Sequence, residues 1–237
     1  MKPFFHIILF ALILPTLGVD VEAEQLLANA RYVSALNKQD LTGKLKKGSN
    51  EVPIKLYMRG KDIQMQYELQ KDVWNGVHLE LKDSNCELFD IIGGEMKKFP
   101  DQKIGQPIAS TDLSYEDLSL RFLYWPAPEI VGEESVKTQD CYIVRVFNPD
   151  TRGNYAVCDL WIHKKAAALM KVKAFNAKGQ HIKTFEASDL MNVDGEILMR
   201  KMKVERLSNG RVDSVSYLIF DNPEGVLKKR KAGRKLK

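Results

Sequence analysis

Ile63-Gln64-Met65-Gln66-Tyr67-Glu68-Leu69 alternates apolar and polar residues without a break, and Val77-His78-Leu79-Glu80-Leu81-Lys82 repeats the pattern. A period of two places every apolar side chain on one face of a strand. Ile54, Leu56 and Met58 form a third such row. Strands with one apolar and one polar face belong to an antiparallel sheet that is covered on one side and wet on the other. Turn residues separate the runs at Lys47-Gly48-Ser49-Asn50, Arg59-Gly60-Lys61-Asp62, Lys82-Asp83-Ser84-Asn85 and Gly93-Gly94, so the first half of the sheet is a meander of hairpins.

Outward from these strands the chain offers further sheet and few helices. Glu22 to Asn37 carries Leu26, Leu27, Ala30, Val33 and Ala35 at mostly helical spacing, which predicts one amphipathic helix. Between Ser110 and Tyr124 the alternation stops. Asp112 or Ser114 is placed to cap a short helix there, with Leu118, Phe122 and Leu123 pointing inward and Pro126 closing it. Strands return over 141–147, 155–163, 167–175, 180–188, 197–207 and 212–220. The total is about eleven strands, and a sheet that large curls rather than staying flat. The expected class is α+β: a strongly curved antiparallel sheet forming an incomplete β-barrel, lidded by the N-terminal helix and short helical inserts.

The chain has 237 residues, 44% of them hydrophobic, which suits one domain with a full core. Lys2 followed by the apolar run Phe4–Leu17 and small residues reads as a cleaved export signal over 1–23, with cuts after Ala23 or after Gly18 both compatible with the small-residue rule. The run is 14 residues long, short of the roughly 20 needed to span a bilayer as a helix. The domain is then 24–222 and the remainder, 223–237, is a basic tail. Net charge is +5, but Lys228–Lys237 carries seven positive side chains, so the rest of the chain stands at −2. For an exported protein this argues against nucleic acid as a partner. It leaves either a solvated tail or contact with an anionic membrane surface.

No nucleophile elbow, phosphate loop, dinucleotide fingerprint or paired-histidine metal motif occurs, so the reading assigns no catalytic residue, metal or cofactor. Glu116-Asp117 and Glu133-Glu134 are neighbouring acids that point apart on a helix or strand, which makes capping and solvation the expected roles. Three cysteines, Cys86, Cys141 and Cys158, allow at most one disulfide. Cys141 and Cys158 flank a turn, and a one-residue change of register would separate them. Cys158 and His163, five apart in one strand, face opposite sides and make a poor metal pair.

The order Asp112-Leu113-Ser114-Tyr115-Glu116-Asp117-Leu118, Gly132-Glu133-Glu134, Asp140-Cys141-Tyr142-Ile143-Val144, Pro149, Tyr155-Ala156-Val157-Cys158-Asp159-Leu160-Trp161-Ile162-His163 and Lys178-Gly179-Gln180 resembles the outer-membrane lipoprotein-sorting proteins related to the LolA carrier. The resemblance covers roughly 111–222. It implies a periplasmic, non-enzymatic carrier whose hydrophobic cavity accepts lipoprotein acyl chains or other lipids, with inner- and outer-membrane proteins as donor and acceptor. It also implies an arginine that holds the lid, which no motif here locates. The basic tail is not part of the pattern. The ligand cavity is expected on the best-alternating strands, lined by Leu56, Met58, Met65, Tyr67, Leu79 and Leu81. Met170, Met199 and Met202, and the aromatic residues Tyr57, Trp74, Phe89 and Trp161, are open to either a core or a ligand-contacting role. The alternative is an envelope sensor or interaction module that uses the same fold to bind a protein partner.

Overall fold

The computed structural model describes residues 20–36, 40–193 and 196–221. Most of the expected export signal and the expected basic tail lie outside these residues. The chain opens with helix α1, Val21–Leu36. Six strands follow: β1 Asp40–Lys47, β2 Asn50–Arg59, β3 Asp62–Gln70, β4 Val73–Leu81, β5 Cys86–Ile92 and β6 Glu95–Lys98. A helical insert then contains a 3-10 turn, Asp101–Lys103, helix α2, Tyr115–Ser119, and a 3-10 helix, Arg121–Tyr124. Seven more strands complete the domain: β7 Glu129–Val136, β8 Gln139–Phe147, β9 Val157–His163, β10 Leu169–Phe175, β11 His181–Val193, β12 Glu196–Ser208 and β13 Arg211–Phe220.

All thirteen strands belong to one antiparallel sheet in the order β6-β5-β4-β3-β2-β1-β13-β12-β11-β10-β9-β8-β7. The two halves of the chain join where β1 pairs with β13, Leu45 opposite Leu218. The sheet has two strands more than the alternation predicts. β6, Glu-Met-Lys-Lys, is exposed at every residue, and β7 is an edge strand whose glutamates face solvent, so neither carries the apolar row that would announce it.

One core accounts for the curvature. Ile54, Met65 and Val77 from the first half share a continuous buried cluster with Val144, Leu160, Val172, Val204 and Leu218 from the second. Side chains from strands so far apart in the order meet only if the sheet wraps around them. Register shifts in β11 between Ala187 and Leu190 add local twist where the longest strands coil. The barrel stays open because β6 and β7 do not pair. Asn209 and Gly210, both at positive φ (50° and 73°), make the tight turn from β12 to β13 that the Asn-Gly pair predicts.

Helix α1 buries Ala23, Leu27 and Ala30, an i, i+4, i+7 stripe, against this core. Its first turn is pinned by Asp20, whose Oδ1 accepts from Ala23 N at 3.1 Å and whose Oδ2 accepts from Ile130 N of β7 at 3.2 Å.

The predicted helix around Asp112–Tyr124 is two elements. Ser114 caps α2 through a reciprocal capping box with Asp117, and Asp112 does not cap. Leu120, in the left-handed region at φ 51°, then breaks the helix ahead of Arg121–Tyr124. Cys141 and Cys158 project from opposite faces of the sheet, Cys158 into the main core and Cys141 into a small second cluster with Trp161 and Met170, and all three thiols are free. Among the described residues, no group of three or more His, Cys, Asp or Glu is placed to hold a metal ion.

Candidate functional site

The segment 112–118 fastens the helical insert to the inside of the sheet. Asp112 accepts hydrogen bonds from Ser214 Oγ and Ser216 Oγ of β13, both at 2.7 Å, and from Lys47 Nζ of β1 at 2.8 Å. Tyr115 shares a 2.7 Å hydroxyl–hydroxyl hydrogen bond with Tyr67 of β3. Asp117 accepts from Ser114 N at 2.7 Å, from Lys183 Nζ of β11 at 2.8 Å and from the Tyr155 hydroxyl. Glu116 accepts from Asn154 N at 2.7 Å. These acids are buried, which corrects the expectation that they are solvated. Capping does hold for Ser114 and Asp117. A charge in the interior requires its own partner, and each strand that supplies one had to be known before the segment's role could be read.

Electrostatics follow burial. Removal from water pushes the Glu116 carboxyl up to about 7, with the nearby Asp117 charge adding to the shift and the Asn154 N–H opposing it. Burial likewise lifts the Cys86 thiol to about 11 and the Tyr124 hydroxyl to about 12. The Tyr155 hydroxyl is driven well above its ordinary range, first by burial and then by the Asp117 charge. The thiol nearest solvent, Cys86, donates to Ser119 O at 3.2 Å.

Beside the insert lies a half-open cavity of about 650 Å3, within the roughly 300–1,000 Å3 typical of small-ligand sites. Leu88 of β5, Phe99, Ile104, Tyr124, Trp125 and Pro149 give it apolar walls. Arg121, Asp150 and Arg152 stand among them, and Cys86 also borders it.

A family model described as "-like: Uncharacterized protein" matches residues 77–223. The chain belongs to that family. No curated protein matches the sequence. Three solved structures are similar in fold. A DUF1329 family protein from Desulfovibrio piger superposes with a TM-score of 0.65 at 18% identity, covering 85% of this chain and 90% of its own. A putative outer membrane lipoprotein-sorting protein domain from Vibrio parahaemolyticus gives 0.64 at 15% identity, covering 87% and 99%. A LolA superfamily protein from Nitrosomonas europaea gives 0.59 at 15% identity, covering 86% and 96%. The fold is therefore LolA-like, as the resemblance in 111–222 implies.

Within this LolA-like fold, Met58, Met65, Tyr67, Leu79 and Leu81 are buried on the inner face and Leu56 is half-buried beside them. The structure brings the predicted lining residues together: Leu56 is opposite Met65 and Ile63 is opposite Leu79. None of the six borders the open cavity. Met65 is only 2% exposed, and α1 and the insert pack into the same core, so this part of the inner face is filled. Of the aromatic candidates Phe89 borders the cavity; Trp161 is in the second cluster and Trp74 lies under Lys55 Nζ at 4.0 Å.

Sequence reasoning missed Arg31. From α1 its Nη1 donates to Leu123 O of the 3-10 helix at 2.6 Å, and its guanidinium lies 5.2 Å from the Tyr124 ring centroid. It ties the N-terminal helix to the wall of the cavity. Nothing in its local sequence marks it, because its partner is a backbone carbonyl 92 residues away. A hydrogen bond from a charged donor contributes about 1.5–3 kcal/mol. Arg31→Met is accordingly expected to accelerate alkylation of Cys86 by about tenfold or more through easier local opening. An unchanged rate would show that Arg31 does not hold this wall.

Proposed function

We propose that the protein is a periplasmic carrier that takes acyl chains of lipoproteins or other lipids out of water and hands them on without bond chemistry. The observation that carries this reading is the half-open cavity between β5 and the helical insert, where Leu88, Phe99, Ile104, Tyr124 and Trp125 stand among charged side chains. The outer membrane lipoprotein-sorting protein domain from Vibrio parahaemolyticus has the same fold and supports the same class of cargo. Burying an acyl chain gains about 0.8 kcal/mol per methylene. A cavity that covers part of a chain therefore holds it while leaving it removable by an acceptor. The apolar run Phe4–Leu17 supports an exported location.

Protein purified without detergent is expected to carry acyl lipid, detectable by mass spectrometry of an organic extract. Leu88→Trp, which fills the cavity from its wall, should lower the bound amount and weaken an acyl probe by about tenfold for every two methylenes displaced. Lipid-free preparations that also fail to bind the probe would rule the carrier out. Met65→Glu is unsuited to this test, since it buries a carboxylate in the core.

A further inference from the structure

One charged group on the cavity wall lacks the partners that burial ordinarily demands. The Arg121 side chain is 14% exposed, yet its guanidinium reaches only the two Asp150 oxygens, each at a stretched 3.4 Å. Asp150 is committed elsewhere, to Arg152 at 2.6 and 2.9 Å. A mostly buried guanidinium has five donors and is costly to leave under-used. The left-handed turn at Leu120 separates Arg121 from α2 and sets it on this wall, and strain of that kind collects at functional sites.

The other charges bordering the cavity offset one another. Glu87 pairs with Lys82 at 2.8 Å, and Arg152 serves both Asp150 and Asp101. Lys98 also borders the cavity and appears in no ion pair among the described residues. Arg121 thus shares its one paired carboxylate, Asp150, with Arg152, and with Lys98 carries the less offset charge, against the weakly held Asp101. An acceptor-rich, negatively charged group would satisfy the guanidinium. Leu88, Phe99 and Tyr124 on the same walls would take an apolar chain.

We propose that the cavity binds an anionic amphiphile, a single acyl chain with a carboxylate or phosphate head, and that Arg121 receives the head. The proposal rests on the carrier reading and narrows its cargo. It is tested on the full chain, purified without detergent and delipidated, with three probes of equal chain length: dodecanoate, dodecyl phosphate and dodecanol. Displacement of a fluorescent polyene fatty acid gives the affinities.

At least one anionic probe should bind about tenfold more tightly than dodecanol, the equivalent of one charge-assisted hydrogen bond. The tighter of the two anions distinguishes a fatty acid source from a phosphate lipid, and either supports the site. Arg121→Gln should erase the preference by weakening the anionic probes about tenfold, and a cooperative unfolding transition reports that the variant is folded.

Should Arg121→Gln fail to fold, protection of Cys86 from alkylation in the unaltered protein gives the same ordering, because Cys141 and Cys158 are fully buried. Equal binding of charged and neutral heads, or a preference that survives Arg121→Gln, overturns the anionic site and leaves the carrier standing. Binding of none of the three probes overturns both.

Discussion

Asp117→Ala is expected to lower the unfolding midpoint by roughly 6–20 °C, the equivalent of about 3–5 kcal/mol for a domain of this size. Asp117 is the buried acceptor on which Lys183 Nζ, the Tyr155 hydroxyl and Ser114 N converge. Once the carboxylate is gone, Lys183, itself buried on β11, is left with Ser114 Oγ at 3.4 Å and the Tyr155 ring, 5.6 Å to its centroid. The Tyr155 hydroxyl loses its acceptor, and the capping box of α2 loses its second half.

Lys183→Met should cost less than Asp117→Ala, because the carboxylate retains Tyr155 and Ser114 as donors. The double variant Asp117→Ala/Lys183→Met should recover much of the loss, since it removes the stranded charge along with its partner. Denaturant unfolding of the four proteins measures the coupling directly. Losses that simply add, within about 0.5 kcal/mol, would mean that the pair does not fasten the insert.

The same residues show where the sequence is legible and where it is not. Alternation in β2, β3 and β4 reveals the sheet, its antiparallel sense and the face that is buried, because a period of two is a local property. The capping box at Ser114 and Asp117 is also local, and so is the Asn209-Gly210 turn. β6 and β7 escape notice because edge strands need no apolar row. The fates of Asp112, Glu116 and Asp117 are set by β1, β13, β11 and the loop at 153–155, all remote in sequence. Spacing alone can say that such acids cap a helix; it cannot say that they are enclosed. The cavity is likewise made where β5 meets the insert and the 149–152 loop, a junction of segments that no single periodic run describes.

Glu116→Gln is expected to abolish a loss of stability that the unaltered protein shows as the pH rises from about 4.5 to about 7. Burial raises the Glu116 carboxyl from 4.5 to about 7, so the native state holds its proton more tightly than the unfolded chain does. The stabilising contribution is therefore complete below about pH 4.5 and is lost as pH climbs through about 7. At about 1.4 kcal/mol per pH unit, the loss amounts to roughly 3 kcal/mol.

Glutamine keeps an acceptor for Asn154 N but never ionises, so the variant should be similar to the unaltered protein at pH 5 and more stable than it at pH 8. Urea unfolding at those two values tests this, and an equal fall in both proteins would refute it. The groups around the carboxyl fit this sign. Asp117 carries like charge beside it, whereas Arg121 and the Asn154 N–H only partly offset that charge and the burial. Gly153, at φ +86°, presses so close that an added Cβ would sit 2.0 Å from Oε1, which keeps water and counter-charge from entering on that side. Pro149, Asp150 and Arg152 on the same loop border the cavity, so the proton on Glu116 stabilises the packing that forms part of the cavity wall.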